Sequence, residues 1–254
     1  MGVIVDPRGR VIGGSPFAPD LRAVLGSWLR NDTLSGGIAS VSDILNPSNP
    51  AAQATSGLRP TGNADGSIGF GGAHVLAWPL ITANNNRDTI GYYTWINPAS
   101  FVGNPIIWCA NAVGGGASAN KLTFRIFGDG SLQLFYYTTT LFRLATVTGN
   151  PLSTGTKYFV GFEFDSGAGS EAAGVNITIG GVVQTISFSN TGSYGQLAAV
   201  TGSALIGNQA TNGAGNAITA TYGRDSWVLN GKMAGATRLL TPTGLAALMN
   251  YEPL

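Results

Sequence analysis

At 254 residues the chain is long enough for one large all-β domain or two small ones. Only 10% of the residues are charged and the net charge is +1, which excludes a nucleic-acid partner held by clustered Lys and Arg. Cys109 is the only cysteine, so an internal disulfide and a cysteine-based metal site are excluded as well.

The first residues hold no basic segment leading into an apolar one, so no signal peptide is expected. No apolar run approaches the roughly 20 residues that cross a bilayer, and membrane insertion is not expected. Residues 1–17 are interrupted by Pro7, Gly9, Gly13 and Gly14. They read as an extended arm with a short strand at 3–5, which either docks on a neighbouring subunit or frays. Pro19 and Asp20 suit the first turn of a short helix, and residues 24–29 suit a strand. Residues 31–66 read as loop, with a short strand at 38–41.

From Ser67 onward the pattern is that of strands. Residues 68–70, 75–80, 89–97, 106–110, 121–127, 131–137 and 141–147 alternate or run apolar between turn signals. Asp129-Gly130 predicts a hairpin, and Gly114-Gly-Gly a flexible loop. Residues 157–165 place Tyr158, Val160, Phe162 and Phe164 on a core face, with Lys157, Glu163 and Asp165 on a solvated one. Residues 175–179 repeat the alternation. Gly180-Gly181 supplies a two-residue turn into 182–188, which completes three consecutive antiparallel strands. Strands follow at 204–207, 217–222 and 227–240. Thr241-Pro242 then starts a short terminal helix. Twelve to fourteen short strands with no fixed-period repeat predict a β-sandwich.

Four stretches carry a family resemblance. Phe17-Ala-Pro-Asp-Leu-Arg-Ala-Val-Leu-Gly-Ser-Trp-Leu29 opens it. Asn49-Pro-Ala-Ala-Gln-Ala-Thr-Ser-Gly-Leu-Arg-Pro60 and Ser67-Ile-Gly-Phe-Gly-Gly72 follow. Ala204-Leu-Ile-Gly207, with Leu229-Asn-Gly-Lys-Met-Ala-Gly-Ala-Thr-Arg-Leu-Leu240, closes it. In order and spacing they resemble laminin-G-like, concanavalin A-like jelly rolls of phage and bacterial surface proteins. The resemblance implies an all-β, two-sheet antiparallel jelly-roll sandwich over residues 18–254, with one concave sheet, a short C-terminal helix and the arm of residues 1–17. Several members hold calcium through Asp and Asn. Asp65, Asp129 and Asp225 are the acids in or near turns here, and Gly71-Gly72 stands where the family often has Asp-Gly. No other cofactor is expected.

Candidate chemistry is sparse. Glu163 and Asp165 share a strand face, as two carboxylates of a glycan hydrolase do. Laminarinase-type relatives use Glu-x-Asp-x-x-Glu, but here Gly167 and Ala168 stand where the second Glu would be, and Glu171 lies in a loop. His74, the only histidine, lacks a nucleophile elbow and further ligands. Gly114-Gly-Gly and Gly213-Ala-Gly lack the Gly-Lys-Ser/Thr ending of a phosphate loop. Tyr93, Trp95, Phe127, Phe135 and Tyr137 fall opposite the core face of their strands. Such a row serves either a glycan or a protein partner.

The low charge and the Gly, Ala, Thr and Asn content also resemble tailed-phage virion proteins. The reading that follows is a non-enzymatic structural protein on a virion surface, made in the host cytoplasm: a capsid decoration or a tail or fibre component. It would be a homo-oligomer in contact with other virion proteins. The alternative is a carbohydrate-binding module or adhesin for a host surface glycan, and the weakest is a glycoside hydrolase.

Overall fold

The computed structural model describes residues 4–5, 11–12, 17–79, 87–111, 120–138, 141–149, 152–190, 193–199 and 202–251. Among the described residues, strands β1 (Ile4–Val5) and β2 (Val11–Ile12) pair only with each other, as a two-stranded sheet. Helix α1 (Pro19–Val24) begins on Pro19, as expected, and runs straight into β3 (Leu25–Arg30). The segment read as loop carries β4 (Ser40–Asp43), β5 (Ala51–Ala52) and β6 (Thr61–Gly62). Then come β7 (Ile68–Phe70), β8 (Leu76–Trp78), β9 (Thr89–Pro98), β10 (Ile106–Asn111), β11 (Asn120–Ile126), β12 (Leu132–Thr138), β13 (Leu141–Val147) and β14 (Tyr158–Asp165). A short helix α2 (Glu171–Gly174) leads to β15 (Val175–Ile179), β16 (Val182–Val183), β17 (Ile186–Asn190), β18 (Ala204–Ile206), β19 (Ala220–Leu229) and helix α3 (Pro242–Tyr251). The expected Gly114 loop lies outside the described residues.

All pairings are antiparallel and build two layers. The first runs β16-β15-β14-β9-β19. Beyond β19 it continues with β3 along one half and β7 along the other, with β6 on β7. The second layer runs β17-β13-β12-β11-β10-β18-β8-β5. Strand β4 joins the layers at one edge: Ser42 and Asp43 pair with β3, while Ser40 and Val41 pair with β5. The all-β two-sheet sandwich with a short C-terminal helix is therefore present.

Between the layers lies the main core. Tyr92 stacks on Trp108 at 5.5 Å between centroids, and Phe162 meets both Trp108 (5.7 Å) and Phe124 (5.4 Å). Offset and edge-on pairs of this kind suit the ring quadrupoles, and truncating one such buried ring to Ala costs about 3–5 kcal/mol.

A second apolar layer covers the far face of the first sheet. Trp28, Tyr93, Phe159, Trp227 and Leu229 point outward from the strands and are buried under Phe17, α1, residues 233–240 and α3. Thr241 starts α3 as expected, its Oγ1 accepting from the Gly244 amide at 3.1 Å. The rings of Phe17 and Trp28 each close on Tyr251, at 5.0 and 5.1 Å.

Three sequence expectations are corrected here. Residues 182–188 do not form one strand. After the Gly180-Gly181 turn (φ +58° and +79°), β16 pairs with β15, but the chain crosses and β17 pairs with β13 in the other layer. Residues 217–222 and 227–240 are not two strands. One ten-residue strand, β19, spans both halves through a register shift, and residues 231–240 are irregular roof. The outward face of β14 is not solvated: Glu163 is 1% and Asp165 9% exposed.

Candidate functional site

The outer face of the second layer brings aromatic, amide and guanidinium side chains together. The β12 alternation sends Leu132, Leu134 and Tyr136 inward and Gln133, Phe135 and Tyr137 outward. Register then sets Phe135 beside Thr123 and Leu144, Gln133 beside Arg125 and Thr146, and Tyr137 beside Phe142. Three rings cluster as a result. Phe135 and Phe142 stack at 5.3 Å with an 18° interplanar angle, Tyr137 stands edge-on to Phe135 at 5.4 Å, and Tyr137 lies 6.4 Å from Phe142. Phe142 is 42% exposed. Beside the rings, Arg125 lies over Phe135 at 5.8 Å and donates from Nε to Gln133 Oε1 at 2.9 Å. Partial burial lowers the Arg125 pKa without discharging the group. The face thus offers aromatic planes to an apolar ring face, next to a half-buried guanidinium that can donate to hydroxyls or a carboxylate, while Gln133, only 5% exposed, holds that guanidinium in place.

Of the five aromatics picked from sequence, Phe135 and Tyr137 belong to this cluster. Phe127 is exposed at the start of the β11–β12 turn and forms no ring pair with them. Tyr93 is fully buried under the roof of the first sheet, stacked on Phe159 at 5.6 Å. Trp95 is half-buried on the same face, 5.5 Å from Phe159, with Lys157 Nζ 5.1 Å over its ring. The expected single row does not form, because β9 and β12 lie in different sheets and face away from each other. Sequence reasoning missed Phe142 and Gln133. The available signal was register: the short connection between β12 and β13, which pairs Thr138 with Leu141, places Phe142 opposite Tyr137.

Glu163 is a structural anchor. Its Oε1 accepts from Tyr93 Oη (2.7 Å) and the Leu240 amide (3.3 Å), and its Oε2 accepts from the Leu239 amide (3.0 Å). Desolvation raises its pKa; the Tyr93 hydrogen bond, Arg238 and the two amides pull the other way. Asp165 pairs with Lys232 Nζ at 3.0 Å. Glu171 opens α2 and meets Arg143 Nε at 2.9 Å, with Tyr136 Oη also donating to it. Tyr136 is fully buried in the main core, so this trio closes one end of the sandwich.

The remaining candidates have local duties. His74 Nδ1 accepts from the Gly71 amide at 3.1 Å. Cys109 is buried, and burial pushes its thiol well above the usual range. Asp65 and Asp129 each accept from the amide and hydroxyl of the serine two residues on. Asp225 accepts from Trp28 Nε1 at 2.6 Å and pairs with Arg30. Among the described residues no three His, Cys, Asp or Glu side chains converge as a calcium ion would need.

No family model matches the chain, and no curated protein matches it. Solved structures do. Trypanosoma rangeli sialidase in complex with sialic acid superposes at TM-score 0.62 and 15% identity, over 98% of this chain and 35% of the sialidase. The same sialidase with a difluoro-KDN ligand gives 0.61 and 14%, over 94% and 35%. Mouse laminin α1 domains LG4-5 give 0.46 at 16% identity, over 67% of this chain and 45% of theirs. The chain thus spans about a third of the sialidase's length, and the likeness is one of fold. The laminin overlap is looser and partial.

The expectation of a non-enzymatic protein is corrected by these neighbours: the fold occurs within an enzyme, the sialidase. The sequence argument had tested one carboxylate spacing, that of laminarinase-type hydrolases. Beyond that it tested a nucleophile elbow, metal ligands and phosphate loops, and it said nothing about a sandwich of this kind within a larger enzyme.

Proposed function

We propose that the chain recognises carbohydrate on the outer face of its second sheet. A glycan lies across Phe135, Tyr137 and Phe142, while Arg125, positioned by the buried Gln133, meets its hydroxyls or a carboxylate. The observation that carries this reading is the three-ring cluster set directly beside a guanidinium–amide pair. The likeness to a sialidase solved with sialic acid supports it, because the same fold then sits within a protein that handles an acidic sugar.

The test is a glycan array on the full chain, followed by calorimetry on the best hit. Phe142→Ala is expected to raise Kd about tenfold, which is about 1.4 kcal/mol, and Arg125→Ala is expected to select against acidic glycans first. An array without a hit, or a Phe142→Ala variant that binds like the parent, overturns the reading.

A second reading concerns assembly. The β1–β2 hairpin pairs with neither large sheet, which suits an arm that grips another copy in a virion. Sedimentation of the chain with and without residues 1–17 tests it, and an unchanged oligomeric state would remove it.

A further inference from the structure

On the other side of the molecule, a cavity of about 380 Å³ lies between the β15–β16 turn and α3. Val182 and Val183 form one wall, and Leu245, Ala246 and Met249 the other. Arg238 is the only charged residue in the lining. Its Nη1 is buried and has no hydrogen-bond partner among the described residues. Glu163 is the carboxylate that attracts it, but the Glu163 oxygens already accept from Tyr93 and from two amides. No ion pair joins Glu163 to Arg238 among the described residues.

A guanidinium has five donors and a permanent charge. Nη1 itself is shut off from solvent, but Arg238 as a whole is half-buried and lines the cavity, so it brings the one cation of the lining to a ligand there. Around it, beside the Gly180-Gly181 backbone, the side chains of the walls end in methyl, methylene and thioether groups, which favour hydrocarbon over a strongly hydrated ion such as phosphate. Val182 is 64% exposed, so the mouth also presents apolar surface to water. The volume falls near the lower end of small-ligand sites and holds about a dozen non-hydrogen atoms, at roughly 30 Å³ each.

We propose that this cavity binds a small monocarboxylate with an apolar body, its carboxylate on Arg238 and its hydrocarbon between the valine turn and α3. The site is separate from the sheet face above and does not depend on it.

Octanoate is the probe, titrated into the full chain by NMR, with octan-1-ol and octylamine as neutral and cationic partners of equal length. Octanoate is expected to shift amides of residues 180–183 and 242–249 and to saturate. Arg238→Gln should weaken octanoate about tenfold and leave octan-1-ol unchanged. Octylamine should not bind. Because Arg238 also faces Glu163, a second variant, Ala246→Trp, fills the cavity without touching either charge and should abolish octanoate binding. The proposal is overturned by non-saturable shifts beyond about 1 mM, by equal octanoate affinity in Arg238→Gln, or by an Ala246→Trp variant that binds like the parent.

Discussion

Replacing Glu163 by Ala separates the anchored reading of that side chain from a solvated one. In the structure the carboxylate satisfies Tyr93 Oη, Leu239 N and Leu240 N, all buried. Removing it strands three donors at about 1–3 kcal/mol each before relaxation. Water entering the gap will satisfy some of them, so the net loss should be about 3–5 kcal/mol, as for other broken buried charge networks. A surface glutamate, by contrast, costs within about 0.5 kcal/mol. Urea unfolding at neutral pH measures the difference, provided that the slope is unchanged. The double variant with Tyr93→Phe should be non-additive, with a coupling of at least about 1 kcal/mol. A loss below about 1 kcal/mol, or strict additivity with Tyr93→Phe, would refute the anchor.

Other outcomes follow from the same geometry. Gly161 lies under the Tyr93 ring, where an added Cβ would sit 2.2 Å from Tyr93 Cδ1 and 2.6 Å from the Tyr92 carbonyl oxygen. Gly161→Ala should therefore cost about 1–3 kcal/mol and lower Tm by at least about 3 °C; an unchanged melting curve would contradict this. Because Glu163 has a raised pKa when folded, the pH-dependent part of its contribution is full below its unfolded value of about 4.3 and is lost as pH rises through the folded value, while the hydrogen bonds it accepts remain. The stability of the parent relative to Glu163→Gln should thus fall with rising pH, and parallel pH profiles would exclude it. Arg143→Met leaves Glu171 buried beside Tyr136 without its cation and should cost about 3–5 kcal/mol by denaturant unfolding, whereas Arg143→Met with Glu171→Gln should recover part of that loss.

Much of the sandwich was legible because alternation is a local property. Val160, Phe162 and Phe164 were assigned inward and are fully buried. The turns at Asp129-Gly130 and Gly180-Gly181 were readable because positive φ at Gly130, Gly180 and Gly181 leaves few residue choices. What alternation lacks is a third layer. It assigns two faces and cannot say that one is roofed, so Glu163 and Asp165 were read as wet. The hint lay in β9 and β19, where Tyr92 with Tyr93, and Trp227 with Val228, put bulk on both faces. The change of sheet near Gln184 left no mark, because residues 182–188 keep their period through the crossing. The contact face was half visible: Phe135 and Tyr137 were found, but joining them to Phe142 needed cross-strand register, which depends on the turn and not on any one strand.

The meeting of Phe17 and Tyr251 has a practical side. With those two rings 5.0 Å apart, a short tether in place of residues 1–16 and 252–254 could bridge residues 17 and 251 without disturbing either large sheet, at the loss of the β1–β2 pair. Val102, at 86% exposure beside a positive-φ Gly103, offers a place to cut. A circularly permuted chain opened there should keep both the Phe135, Tyr137 and Phe142 rings and the Arg238 cavity, since neither spans the new junction. Cargo placed at the new ends would then project from the turn between β9 and β10, and not from the Phe17–Tyr251 contact.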